Sequence, residues 1–370
     1  MKILIPAGLF YPSLLGGPAN TYYWLAKAFA TNGHKVTVVA SNNHIVDKSI
    51  EFDKWIKLDG IRVRYCTAKS KLPLRIVSHS IKEMKGADAV IIGSLFYLPN
   101  LFIASAGLLR GKRVIWSARG ELFEIAINKN GKVKRYYFKL LKVLFTKRVQ
   151  FHATSEDEKK LIKHYFGSSV DVAIIPNYME LPEKVERMSE TDKYFLYAGR
   201  LNKIKALDKL LQSLSQSESF LNSEYKLLLA GLNQDNYQNV LEEIINKDTR
   251  LKERVVFLGN TDKNTLYSLY ANAHFLFLVS HSENFGNVVI ESLSQGTPVV
   301  ASYGTPWQKL EEYNAGYWIS NEPESISKCV NDILSLSDEE YNKLRQNAEI
   351  LSKEFDVFEN VDKWIEVISK

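Results

Sequence analysis

The feature that most limits the fold is an alternation that runs twice along the chain. Short runs of branched and aromatic residues are separated by longer stretches of helical periodicity. In the first half KILIPAG, KVTVVAS, IRVRYC, AVIIGS, RVIWSA, VQFHAT and VAIIPN read as strands. Between the first two, Tyr22, Leu25, Ala26 and Phe29 recur at helical spacing from Pro18 to Thr31, and Gly33 stops that helix. Strands that are apolar on both sides need cover on both faces, which a parallel sheet with crossover helices supplies. From Leu181 to Lys193 the composition turns to LPEKVERMSETDK, which is charged, lacks a strand pattern and reads as a linker. The alternation then restarts with YFLYAG, KLLLAG, VVFLG, HFLFLVS and PVVAS. The chain is therefore expected to be α/β, with two doubly wound parallel-sheet domains over residues 1–185 and 194–352. Residues 353–370 form a closing helix whose Val361, Trp364, Ile365 and Ile368 make one stripe that can cross back to the first domain. A length of 370 residues suits two such cores better than one.

Composition narrows the function. Cys66 and Cys329 lie far apart, form no metal or redox motif and fit a reducing compartment. The opening MKILIPAGLF breaks at Pro6 and Gly8, so it reads as a buried strand rather than a signal peptide. Ala89–Leu109 is long enough on paper to span a membrane, but Pro99 and Asn100 interrupt it. The net charge of +6 is divided: residues 1–190 hold 30 basic and 16 acidic side chains (+14), residues 191–370 hold 18 and 26 (-8). An acidic second half argues against one uniform polyanion-binding surface, and the basic half lacks a nucleic-acid module.

The chemistry concentrates in HFLFLVSHSENFGNVVIESLSQGTPVVAS. A buried strand ends near Val279, a polar loop follows, and a helix begins near Val288. Phe285 anchors the loop and Gly286 allows close backbone approach. The amides of Gly286, Asn287 and Val288 then stand at a helix N-terminus, an anion site suited to a diphosphate. Glu283 precedes that site and Glu291 lies a turn beyond it. Carboxylates weaken a phosphate site, so their place beside one is better explained by sugar or ribose hydroxyls. Upstream, in YAGRLNKIKALDKLLQS, Arg200 and Lys205 are cations just past a strand end, with Lys203 as the alternative to Lys205. Together they can neutralise a departing diphosphate.

The E-x7-E pattern of SENFGNVVIESLSQGTPVVAS, with GRLNKIKALD upstream, resembles family 4 of the retaining glycosyltransferases, which have the GT-B fold. GGPANTYYWLAKAFATNGHKVTVVA, FHATSEDEKK followed by IIPN, and FDVFENVDKW are similar to that family in the same order. The resemblance implies two Rossmann-like domains facing across a cleft, the first binding acceptor and the second a UDP- or GDP-sugar. It implies that Glu283 meets the donor sugar near its reacting carbon and that Arg200 and Lys205 hold the diphosphate. Glu291 then takes the ribose, Phe285, Gly286 and Asn287 the sugar and phosphates, Gly16 and Gly17 the phosphates from the first domain, and Leu258 the nucleobase. Where many relatives have His-Gly or His-Asp, this chain has Arg119-Gly120 followed by Glu121. Arginine there cannot act as a base but can bind an anionic or hydroxyl-rich group. With SYGTPWQKL, that change is similar to the branch that makes capsule, O-antigen and exopolysaccharide.

The resemblance implies a retained anomeric configuration, by front-face substitution with the diphosphate as leaving group. No metal and no cofactor are expected to be essential, since the cationic pair takes the place of a metal-binding D-x-D. From Ile125 through Ser155 there is no acid and there are eight Lys or Arg. Tyr137, Leu140, Leu141, Leu144 and Phe145 form a stripe there, with Arg135, Lys139 and Lys142 at its margins. Residues 132–149 thus read as a membrane-surface helix beside a polyprenyl-diphosphate-linked or glycan acceptor, or as a core-facing helix with a solvated basic side. The expected location is the cytoplasm, either free or at the cytoplasmic face of the inner membrane. A phosphorylase, a sugar-nucleotide epimerase and a non-catalytic nucleotide-sugar-binding protein are the competing functions. Free-phosphate dependence, turnover of donor alone, or binding without release of nucleoside diphosphate would mark each in turn.

Overall fold

A computed structural model describes residues 1–13, 16–68, 70, 72–123, 131–188 and 193–370. Residues 125–130 of the acid-free segment and 189–192 of the linker lie outside these, as do the side chains of Lys132 and Arg135. The chain divides into one unit of Met1–Glu180 with Asp356–Lys370 and a second of Leu181–Phe355.

The first unit is built on an eight-stranded sheet. In chain order its strands are β1 (Lys2–Ala7), β2 (Lys35–Ser41), β3 (Trp55–Leu58), β4 (Ile61–Cys66), β5 (Ala89–Gly93), β6 (Arg113–Ser117), β7 (Gln150–Ala153) and β8 (Val172–Ile174). Their spatial order is β3-β4-β2-β1-β5-β6-β7-β8. Seven of the sequence-read strands are here. The sequence reading missed β3, which pairs antiparallel with β4 through a turn at Asp59 and Gly60, both at positive φ (45° and 82°). Asp-Gly between two apolar runs is a hairpin signal, since a type I′ turn needs positive φ at both positions. Every other pairing is parallel.

Helices Leu74–Glu83, Pro99–Leu109, Gly131–Phe145 and Glu156–Phe166 pack on one core cluster with Val90, Trp116 and Phe151 of the sheet. The closing helix Val357–Ser369 lies in this unit and packs against Gly16–Thr31. It buries Val361, Trp364, Val367 and Ile368 and is tied down by the Val357 amide donating to the Met179 carbonyl at 2.9 Å. Its Trp364 ring lies 4.4 Å from that of His152, whose two ring nitrogens are bonded to Ser117 Oγ and to the Ile175 carbonyl, each at 2.8 Å. Of the basic stripe, Leu141 and Phe145 are buried and Tyr137 and Leu144 are packed on the core, whereas Leu140 is exposed. The stripe thus faces inward.

The second unit carries a six-stranded sheet: β9 (Tyr194–Ala198), β10 (Lys226–Ala230), β11 (Val255–Gly259), β12 (Phe275–Leu278), β13 (Val299–Ser302) and β14 (Gly316–Ile319). The order is β11-β10-β9-β12-β13-β14, parallel throughout. The edge strand β14 was not read from the sequence. Strand order reverses between β9 and β12, as it does between β1 and β5 in the first unit. At such a reversal the loops leaving two neighbouring strands diverge and open a crevice at their C-terminal ends.

Burial drives the pKa of His152 down to about 3, and the nearby Arg119 charge adds to this. Below the unfolded value near 6.5 the unfolded chain takes up a proton that the folded one refuses. Stability of the first unit should therefore fall as pH drops from 6.5 towards 3, by up to about 1.4 kcal/mol per pH unit from this residue. Urea unfolding between pH 7.5 and 5 measures it, and a flat profile would contradict the neutral, buried assignment.

Candidate functional site

In the second unit the residues after β9 and β12 meet at the reversal. Gly199 and Arg200 follow β9, and Lys203–Lys205 make one 3₁₀ turn before Ala206 enters the left-handed region and the helix Leu207–Ser215 begins. The approach of β10 is equally tight. A Cβ on Gly231 would stand 1.8 Å from the Gly199 carbonyl oxygen, so no side chain fits. The second loop is pinned to the first by the His281 amide donating to the Ile204 carbonyl, 2.8 Å. It is pinned to the turn after β13 by the Glu283 amide donating to the Gly304 carbonyl, 2.8 Å.

These contacts bring Lys205 and Glu283 together as an ion pair, with side chains only 15% and 19% exposed. Arg200 stays exposed, and its Nη1 makes a long 3.4 Å hydrogen bond to Gln234 Oε1, which also accepts from Asn202 at 3.2 Å. Lys203 is exposed on the same turn. Phe285 is buried against Trp307 and Phe355, and the Trp307 indole N–H donates to the Phe285 carbonyl. Gly286 then takes φ 83°, where a Cβ would meet Leu278 at 2.7 Å. The helix Asn287–Ser294 starts there with no side-chain cap, so its first turn offers backbone amides.

Glu291 does not join the Lys205–Glu283 pair. It accepts a 2.9 Å hydrogen bond from the Tyr270 hydroxyl. Burial raises its carboxyl above the ordinary carboxylate range, opposed by the Tyr270 bond and the charge of Lys263. Leu258 lies apart on the edge strand β11. Register there slips from Leu229↔Phe257 to Ala230↔Gly259, leaving Leu258 as the extra residue of a bulge and 37% exposed. A bulge re-aims a side chain at a strand end. Leu232, just beyond β10, is also exposed, at 55%.

Gly16, Gly17 and Arg119 belong to the first unit. The two glycines open the helix Gly16–Thr31, and Gly17 is exposed with open space where a Cβ would stand. Arg119 follows β6 at φ 54°. Its guanidinium stacks 4.6 Å from the Tyr22 ring centre, donates to the Tyr22 hydroxyl (3.3 Å) and to Asn177 Oδ1 (2.5 Å), and leaves a buried Nη2 without a hydrogen-bond partner. The Gly120 amide donates to the buried Glu158 carboxylate at 2.6 Å. Glu121 accepts from Ser94 Oγ and the Leu95 and Phe96 amides, which fixes the loop after β5. Among the described residues no group of three or more His, Cys, Asp or Glu is placed to hold a metal ion.

Two family models meet on this architecture: Glycosyltransferase Family 4 over residues 15–181 and Glycosyl transferases group 1 over residues 179–350. The chain is a GT-B-fold glycosyltransferase related to these two groups. An uncharacterized glycosyltransferase of Methanocaldococcus jannaschii is 30% identical over 40% of this chain and 37% of its own length, so the match spans little more than a third of that relative. The GDP-mannose:cellobiosyl-diphosphopolyprenol alpha-mannosyltransferase of Xanthomonas oryzae is 23% identical over 84% of this chain and 80% of its own. The Anabaena protein HepE, solved in complex with UDP and glucose, superposes with a TM-score of 0.75 at 18% identity, over 100% of this chain and 99% of its own.

Of the charged residues expected from the sequence, the structure pairs Lys205 with Glu283 and leaves Glu291 on Tyr270; the groups that hold them were not expected. Tyr270, Gln234 and Trp307 are the supports, of which only Trp307 stood in a segment already singled out. Trp307→Phe keeps the ring and removes the donor to the Phe285 carbonyl. It should lower stability by about 1 kcal/mol in urea unfolding and weaken donor binding. Unchanged donor affinity would show that the loop is held without it.

Proposed function

We propose that this glycosyltransferase moves a sugar, with retention, from a UDP- or GDP-sugar to a hydroxyl of a glycan or lipid-linked acceptor in surface-polysaccharide synthesis. The observation that carries the reading is the meeting of Lys205, Glu283 and the Asn287–Ser294 helix N-terminus at the reversal between β9 and β12. Cations and amides there suit a diphosphate, and a carboxylate beside them suits sugar hydroxyls. The bond from the anomeric carbon to the phosphate oxygen breaks, and its electron pair stays on the diphosphate. Arg200, Lys205 and the amides of Gly286, Asn287 and Val288 stabilise that charge. The acceptor oxygen bonds to the anomeric carbon from the same face, and its proton passes to the departing phosphate oxygen. Glu283 orients the donor sugar and Glu291 takes the ribose with the oxygen that Tyr270 leaves free. Leu258 borders the base, and in the first unit Gly16, Gly17 and Arg119 are the proposed ligand contacts. The Xanthomonas relative, named for a diphosphopolyprenol-linked acceptor, supports the lipid-linked alternative.

The test is release of nucleoside diphosphate from UDP-, GDP- and ADP-sugars with lipid-linked and soluble acceptors. Glu283→Gln and Arg200→Ala should each lower kcat/KM by at least about a hundredfold. Near-wild-type turnover in both would remove the site assignment.

The same reading extends to the membrane. Among the described residues no helix is long and apolar enough to cross one. The helix Gly131–Phe145 turns its stripe inward yet leaves Tyr136, Leu140 and Val143 at 75%, 45% and 81% exposure beside the exposed Lys139 and Lys142. An outward face of that kind suits an anionic bilayer at the cytoplasmic side. Flotation with anionic vesicles should fall when Lys139 and Lys142 are changed to Glu and again with Val143→Glu. Flotation unchanged in both variants would return this face to ordinary solvent.

A further inference from the structure

The two cations of the donor site are not equivalent. Arg200 is exposed, and among the described residues its side chain hydrogen-bonds only to the neutral Gln234, at 3.4 Å. Lys205 is largely buried and already holds a carboxylate, that of Glu283. The pair joins the two loops of the reversal, the turn after β9 and the loop after β12. An ion pair this sheltered is costly to break by removing one partner, because the other is left buried and unpaired. A diphosphate at the helix N-terminus needs Lys205 and is repelled by Glu283.

We propose that Glu283 is the intramolecular competitor of the diphosphate for Lys205, and that the exchange lets the site tell an intact donor from a spent one. This rests on the donor-site reading above. The diphosphate engages Arg200 first, and Lys205 then leaves Glu283 for a phosphate oxygen. With a nucleotide sugar, the released carboxylate accepts hydrogen bonds from the sugar hydroxyls, so both partners of the broken pair are satisfied. After transfer the nucleoside diphosphate offers no sugar hydroxyls. Glu283 then has no partner except Lys205, reclaims it, and loosens the grip on the product. The residue that orients the donor sugar is thereby also the residue that promotes product release.

Calorimetric titration of UDP, GDP and inorganic pyrophosphate into the full chain tests this, because none of the three carries the transferred sugar. Glu283→Gln should bind the recognised nucleoside diphosphate and pyrophosphate about tenfold more tightly, with no such gain for the nucleotide sugar. Glu283→Asp keeps the charge but shortens the reach, and should show part of the gain. In a Lys205→Met background the gain from Glu283→Gln should vanish. An unchanged or weaker affinity in Glu283→Gln overturns the proposal. So does a gain that persists without Lys205, since removal of a negative charge alone would then account for it. The underlying reading fails separately if Arg200→Ala leaves nucleoside diphosphate binding intact, or if none of the three probes binds. Thermal unfolding of each variant shows that it is folded, and either Glu283 variant suffices for the comparison.

Discussion

Parallel strands cannot be joined by tight turns, because each connection must return over a face of the sheet. That constraint sends every loop that follows a strand to the same edge. Where strand order reverses, two neighbouring loops lead to helices on opposite faces and part from each other. In the second unit these are the loops after β9 and β12, and the proposed chemistry rides on them. The two are joined by the His281 amide donating to the Ile204 carbonyl, and each packs by backbone against its outer neighbour. Gly231 and Gly304 meet the Gly199 and His281 carbonyls at distances where a Cβ would stand only 1.8 Å and 2.4 Å away. Such contacts leave no room for a side chain between neighbouring loops.

Strand identity was legible where burial was two-sided. Runs such as FLFL of β12, buried at every position, have no other home than a covered parallel sheet. The two strands that escaped are edge strands with weaker patterns. WIKL of β3 has no buried position, and GYWI of β14 has one, at Gly316. For β3 the Asp59-Gly60 turn was a usable signal. For β14 nothing local marked it, and its place depends on pairing with β13. The basic helix shows a different limit. Periodicity defines a stripe but not what the stripe faces, and here it covers Trp116 and Phe166 rather than solvent.

Site residues were legible by charge and by their place after a strand, and their supports were not. Glu291 and Tyr270 are 21 positions apart, and Phe285 and Trp307 are 22 apart. A hydrogen bond between residues so far apart in the chain leaves no periodic trace in one sequence. Leu258 illustrates the same point. Its bulge is a property of the β10–β11 register, which no feature of VVFLG encodes alone. Local chemistry thus announces which groups can act, whereas tertiary pairing decides how they are aimed.

The Arg119 turn shows how far aiming can be taken. Three consecutive residues tie four different parts of the first unit. Arg119 binds Tyr22 and Asn177, Gly120 binds Glu158, and Glu121 binds the loop after β5. Both hydrogen-bond partners of the guanidinium are uncharged, and among the described residues no ion pair engages it. Its positive charge is therefore held rigidly without being neutralised. The same charge helps to keep His152 unprotonated beneath it. This cation stands after β6, one strand from the reversal beside β5. Arginine cannot supply base catalysis, so what it adds is a field that favours negative charge or hydroxyl oxygens. In the proposed scheme Arg119 therefore takes no part in proton transfer, and acid–base work stays with the donor's own phosphate.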